Sequence, residues 1–159
     1  MNDNWDNSIR LFLQLANKHK LELIMVGGGA VNFHGYQRHS ADVDFWIDTS
    51  ETNFQKLLMV FNEMGYDIDD IPPKVKNKEQ NISLKFSPES IEIELITNFS
   101  VNKTFEEALR DSEKVETKDE VGYFKWNVLS LEDLITSKIK SGRNKDYLDV
   151  QELKRIHKI

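Results

Sequence analysis

The chain has 159 residues, 39% of them hydrophobic and 30% charged, which suits one globular domain with its own core. It contains no cysteine, which excludes disulfides and thiolate metal sites and points to a reducing cytoplasm. A net charge of −6 argues against a protein that grips nucleic acid mainly through phosphates, and no run approaches the roughly 20 apolar residues of a membrane span. The charge is uneven, however. The last quarter holds Lys138, Lys140, Arg143, Lys145, Lys154, Arg155 and Lys158, enough for a local basic groove.

Residues 5–19 read as an amphipathic helix, because Ile9, Phe12, Leu13 and Ala16 fall at i, i+3, i+4 and i+7. The same stretch alternates apolar and polar residues and lacks the apolar segment of a secretory signal, so a cytoplasmic protein is expected. Residues 21–26 form a short buried strand that Gly27, Gly28 and Gly29 break. A short helix over 30–36 follows, with Gly35 near its end, then a second strand over 42–48. Asp48, Thr49 and Ser50 offer N-caps for a third helix with Phe54, Leu57, Leu58 and Phe61 on its core face and Gly65 at its end.

Residues 67–81 are polar and contain Pro72-Pro73, which predicts a mobile loop. Ile82, Leu84 and Phe86 then alternate with polar residues, as do Ile91, Ile93 and Leu95 with Glu92 and Glu94, across a short turn. A hairpin is expected. Thr104 and Glu107 have capping-box spacing for a helix reaching Arg110. Residues 115–128 predict a strand pair. Ser130 opens a helix with Leu134, Ile135 and Ile139 on its core side, Gly142 interrupts it, and a last helix covers about 145–157. The order implies an α/β (α+β) fold, a mixed β-sheet with helices packed against it, in a single domain over 1–159. Its core would span about 5–100 and a C-terminal helical extension about 130–159.

The chemistry concentrates in residues 24–48. Asp42 and Asp44 stand two apart in a strand, so their side chains share a face. Such a pair is either a solvated edge or a cation site. Oxygen ligands of this kind suit Mg²⁺ or Mn²⁺ rather than Zn²⁺. A glycine turn between a strand and a helix exposes backbone N–H groups to a phosphate and lets a ligand approach closely. Phosphate cradle and carboxylates together suggest chemistry on a nucleoside triphosphate. Arg38 either touches a phosphate or forms a salt bridge to the acidic strand and steadies the loop. His34 and His39 lack metal-ligand spacing, and His34 reads as a packing or helix-end residue.

The ordered set Gly27-Gly28, Ala30, His34-Gly35, Arg38, Ser40, Asp42 and Asp44 resembles the nucleotidyltransferase superfamily, the group with a DNA polymerase beta-like core. The finer pattern looks like its small stand-alone bacterial branch, related to abortive-infection nucleotidyltransferase toxins. The resemblance implies a nucleotidyltransferase-type fold with C-terminal helices. It also implies transfer of a nucleoside monophosphate from an NTP, ATP among them, to a hydroxyl acceptor with release of pyrophosphate. The acceptor would be a small molecule, an RNA end or a protein side chain. A separately encoded antitoxin would be a partner of a toxin-type enzyme. A catalytically inactive nucleotide- or partner-binding relative with the same fold is the alternative.

By the same resemblance a third carboxylate joins Asp42 and Asp44 from a neighbouring strand. The stretch Ile91-Glu92-Ile93-Glu94-Leu95-Ile96-Thr97 places it at Glu94, with Glu92 as the fallback, although the branch more often has aspartate there. Asp42, Asp44 and Glu94 would hold two Mg²⁺ or Mn²⁺ ions roughly 4 Å apart. Gly27, Gly28, Arg38 and Ser40 would bind the nucleotide. Leu131-Glu132-Asp133-Leu134-Ile135-x-x-Lys138 and Arg143-x-Lys145-Asp146-x-x-Asp149 extend the likeness to the C-terminal part of the chain. Lys138 would reach the triphosphate, while Arg143 and Asp146 would build an internal ion pair.

Overall fold

The structure is a computed structural model that describes residues 7–40, 42–118, 120 and 122–159. Trp5 and Asp6 of the expected first helix, Ala41 just before the expected second strand, and Asp119 and Val121 within the expected strand pair lie outside the described residues. Among the described residues the strands β1 (Leu23–Val26), β2 (Asp42–Ile47), β3 (Ile82–Leu84), β4 (Glu92–Ile96), β5 (Glu113–Lys118) and β6 (Tyr123–Val128) form one sheet in the order β3-β4-β2-β1-β6-β5. It is mixed. β1 runs antiparallel to β2 and parallel to β6, and β2 runs parallel to β4. The expected hairpin, β3-β4, and the expected strand pair, β5-β6, are both antiparallel.

The helices are α1 (Asn7–Lys18), α2 (Gly27–Phe33), α3 (Glu51–Glu63), α4 (Pro73–Lys76), α5 (Phe105–Asp111), α6 (Leu131–Ser141) and α7 (Asn144–His157). Alternation in β2 and β4 sends Val43, Phe45, Ile93 and Leu95 into a core shared with Phe12 and Leu13 of α1 and Phe54 and Leu57 of α3. Each of these side chains contributes about 1.5–3 kcal/mol by leaving water. Val43 and Asp44 are neighbours in sequence and opposite in fate, because the strand period is two. Asn53 is buried yet satisfied. Its amide accepts from Glu22 N at 2.8 Å and donates to the carbonyls of Glu22 and Asp48 at 3.1 and 2.8 Å, pinning α3 to β1 and β2. Among the described residues no helix is long and apolar enough to cross a membrane.

Three local expectations need correction. The second helix begins at Gly27 rather than Ala30 and ends at Phe33, so the glycines form its first turn instead of preceding it. The stretch 67–81 contains a short helix and two anchors: Pro72-Pro73 starts α4, since proline suits the first helical position, and Ile71 and Val75 are buried while most of its other residues are exposed. Ile139 is 51% exposed rather than facing the core. α6 is turned so that Leu134, Ser137 and Lys138 face inward, because Lys138 has buried acidic partners on α7.

Candidate active site

β2 and β4 pair in parallel with Asp42 opposite Glu92 and Asp44 opposite Glu94. Matched period-two alternation therefore puts all four carboxylates on one face. Asp42, Asp44 and Glu94 each bring one oxygen to within 4.8 Å of the other two; Glu92 is outside that group. Asp44 is the most crowded. Its Oδ1 is buried with no hydrogen-bond partner. Burial above all, then the charges of Glu94 and Asp42, push its carboxyl up to about 6, against the pull of Lys138 and Lys145. An orphaned carboxylate oxygen beside two more carboxylates is a donor set that a hard divalent cation fits. Asp42, Asp44 and Glu94 are the residues that would hold it.

The glycines are explained by what lies beside them. Gly27 has φ +60°, and a Cβ there would sit 2.5 Å from Asp44 Oδ2. A Cβ on Gly28 would sit 2.5 Å from Ser40 Oγ and 2.8 Å from Ser40 Cβ. The first turn of α2 thus lies directly against Asp44 and the residue that leads into β2. Ser40 fixes that entry, since its Oγ donates to the carbonyl of Asp42 at 2.8 Å. Asn81, from the segment expected to be a mobile loop, donates to Glu94 Oε1 at 3.3 Å and accepts from Thr97 N at 3.1 Å. It orients the third carboxylate, and an asparagine in a polar stretch carries no sequence signal for that role.

The basic residues are tied together by two buried aspartates. Arg38 donates through Nε and Nη2 to the two oxygens of Asp149 at 2.9 and 3.0 Å. Its ionic partner is therefore on α7, not on the acidic strand. Lys138 Nζ lies 3.0 Å from Asp149 Oδ2 and 3.3 Å from Asp146 Oδ1. Arg143 closes the chain through Nε to Asp146 Oδ2 at 2.7 Å, the expected internal pair. Burial works against the Asp146 charge, but hydrogen bonds from Arg143, Ser141 and Lys138 outweigh it and hold the carboxyl down to about 2. The network joins the loop before β2 to α6 and α7.

These parts line one cavity of about 460 Å³, with Gly28, Ser40, Asp42, Asp44 and Glu94 in its wall. Arg38 and Lys138 reach the same wall with their charges already paired. Lys145, named from the sequence as part of a basic stretch but given no site role, also lines it and is exposed at the first turn of α7. Its position before Asp146 in the C-terminal pattern was the available signal. His34 is structural: its Nε2 is 2.7 Å from the carbonyl of Leu129, and burial lowers its pKa.

A cluster of three carboxylates, a glycine turn pressed against it and a basic rim can hold a cation and a polyphosphate together. No curated protein matches the chain. Residues 6–159 match the family described as nucleotidyl transferase of unknown function (DUF2204), and the chain belongs to that family, a branch of the nucleotidyltransferase superfamily.

Proposed function

We propose that the protein is a divalent-metal-dependent nucleotidyltransferase that moves a nucleoside monophosphate from an NTP to a hydroxyl acceptor. The acceptor oxygen bonds to the α-phosphorus, the bond from that phosphorus to the bridging oxygen breaks, and pyrophosphate leaves. The proton of the acceptor passes to a nearby carboxylate, for which Glu94 is the candidate. Bound Mg²⁺ or Mn²⁺, two ions by the family resemblance, would supply positive charge to the triphosphate and make the acceptor hydroxyl more acidic. Asp42, Asp44 and Glu94 hold that charge in place, Asn81 orients Glu94, and Gly27 and Gly28 let the first turn of α2 lie against Asp44 and Ser40 at the edge of the phosphate site. Most of the rate enhancement then comes from positioning and fixed charge.

The observation that carries this reading is the group of three carboxylate oxygens within 4.8 Å, one of them beside a buried oxygen with no partner. The test is pyrophosphate release from each NTP with small hydroxyl compounds, RNA ends and protein offered as acceptors. Asp44→Ala should abolish it, and unchanged release would remove Asp44 from the mechanism. A toxin-type enzyme, neutralised by an antitoxin, would in addition arrest growth on expression in a manner lost in Asp44→Ala.

Two observations favour a second reading. Lys138 and Arg38 are both held by Asp149, and glutamate stands at the third carboxylate position. A binding relative without turnover would retain nucleotide affinity yet release no pyrophosphate with any metal or acceptor.

A further inference from the structure

Asp44 stands where two cavities meet. The first is the charged one described above. The second, of about 520 Å³, extends from Val26 and Gly27 past Asp44 toward the end of β4 and the inner side of α6. Gly27, Asp44, Ile96, Lys138 and Arg143 line both, so the two form a continuous cleft with Asp44 in the middle. Their chemistry differs. The first lobe carries Asp42, Glu94, Arg38 and Lys145. The second carries Phe99, Ile96, Asn98, Ser100 and Ser137, and beyond the shared Asp44 its charged groups are already engaged. Lys140 donates to Ser100 Oγ at 3.0 Å and Asn102 Oδ1 at 2.7 Å, and Asp146 is bound by Arg143 and Lys138.

Resting on the nucleotidyl-transfer reading, we propose that the second lobe binds the nucleoside end of the NTP, with Phe99 as the platform for the base and Asn98 as a reader of its edge. Phe99 is half-buried, so one part of its ring is held and another lies open to the lobe. It is held by Trp46, centroids 5.1 Å apart, which in turn meets Phe105 edge-on at 5.1 Å. A rigid aromatic face suits base stacking, which tolerates every base because each has a π-face. Asn98 is exposed beside it, with an amide able to donate and accept. A volume of about 520 Å³ holds a nucleoside, within the roughly 300–1,000 Å³ common for small-ligand pockets. A nucleotide lying across Asp44 then has its phosphates in the charged lobe and its base in the neutral one.

Calorimetric titration in Mn²⁺ with the four NTPs and with inorganic tripolyphosphate tests this, since tripolyphosphate has the charge and no base. Phe99→Ala should weaken every NTP at least tenfold and leave tripolyphosphate within about twofold, while Phe99→Tyr should bind NTPs as the wild type does. Asn98→Ala, on the surface and harmless to the fold, should alter the ranking of the four NTPs and leave tripolyphosphate alone. If Phe99→Ala loses tripolyphosphate as well, the decision passes to Asn98→Ala, and an unaltered ranking there overturns the proposal. Wild-type NTP affinity in Phe99→Ala also overturns it. A wild-type protein that binds neither NTP nor tripolyphosphate overturns the nucleotidyl-transfer reading itself, and the lobe assignment with it.

Discussion

Replacing Asp44 by asparagine should stabilise the metal-free protein, against the usual expectation for a site residue. The folded Asp44 carboxyl titrates near 6, raised from 3.8 by burial and by Glu94 and Asp42. A raised carboxyl binds its proton more tightly folded than unfolded. The penalty on folding is therefore absent below about pH 4, grows as pH rises toward 6, and is complete above it. About two units at about 1.4 kcal/mol each set a ceiling of about 3 kcal/mol; the site opens to a solvated cleft, which halves the expectation to about 1.5 kcal/mol. Urea unfolding at pH 7.5 in chelator should show Asp44→Asn more stable by that amount, and at pH 3.5 the two proteins should coincide. Millimolar Mg²⁺ should reverse the order at pH 7.5, because the ion binds and stabilises only the wild-type fold. An asparagine variant less stable than wild type in chelator at pH 7.5 would refute the picture of an uncompensated carboxylate.

Gly28→Ala should cost about 1–3 kcal/mol in denaturant unfolding, because the new Cβ meets Ser40 at 2.5 Å, and Ser40→Gly in the same chain should restore most of it. Asp149→Asn leaves Arg38 and the buried Lys138 short of a counter-charge, and should lower stability by about 3–5 kcal/mol at neutral pH, read by thermal unfolding. Lys145→Ala should weaken NTP binding about tenfold or more, since a charge-assisted contact is at stake, and should not weaken Mn²⁺ binding without nucleotide, because it removes a positive charge that acts on Asp44.

The parts of the site that a local rule fixes were legible in the sequence. Asp42 and Asp44 share a face because any strand puts i and i+2 together, and Ser50, Thr104 and Ser130 cap helices because their spacing to the following N–H groups is local. Glu92 and Glu94 could not be separated by the same rule, since both leave the core side of β4. The parallel register that sets Asp44 opposite Glu94 depends on a pairing across about fifty residues of chain. Lys138 was expected, by the resemblance, to reach a triphosphate, and nothing local in the sequence showed it as a buried residue. The hydrophobic pattern turned Ile139 inward, and only the partners Asp146 and Asp149 on the next helix reverse that. Pro72-Pro73 was read as a breaker where it starts a helix, which hid Asn81 and its hold on Glu94. The glycines were read for a phosphate, and their nearest neighbours in the fold are Asp44 and Ser40.

The central claim is that Asp42, Asp44 and Glu94 hold a metal that in turn holds a triphosphate. Its most direct test is calorimetric binding of the four NTPs, with and without Mg²⁺ or Mn²⁺, to the wild type and to Asp42→Asn/Asp44→Asn. Metal-dependent binding by the wild type that disappears in the double variant is the result expected. Equal binding by both proteins, or binding by the wild type that ignores the metal, would contradict it.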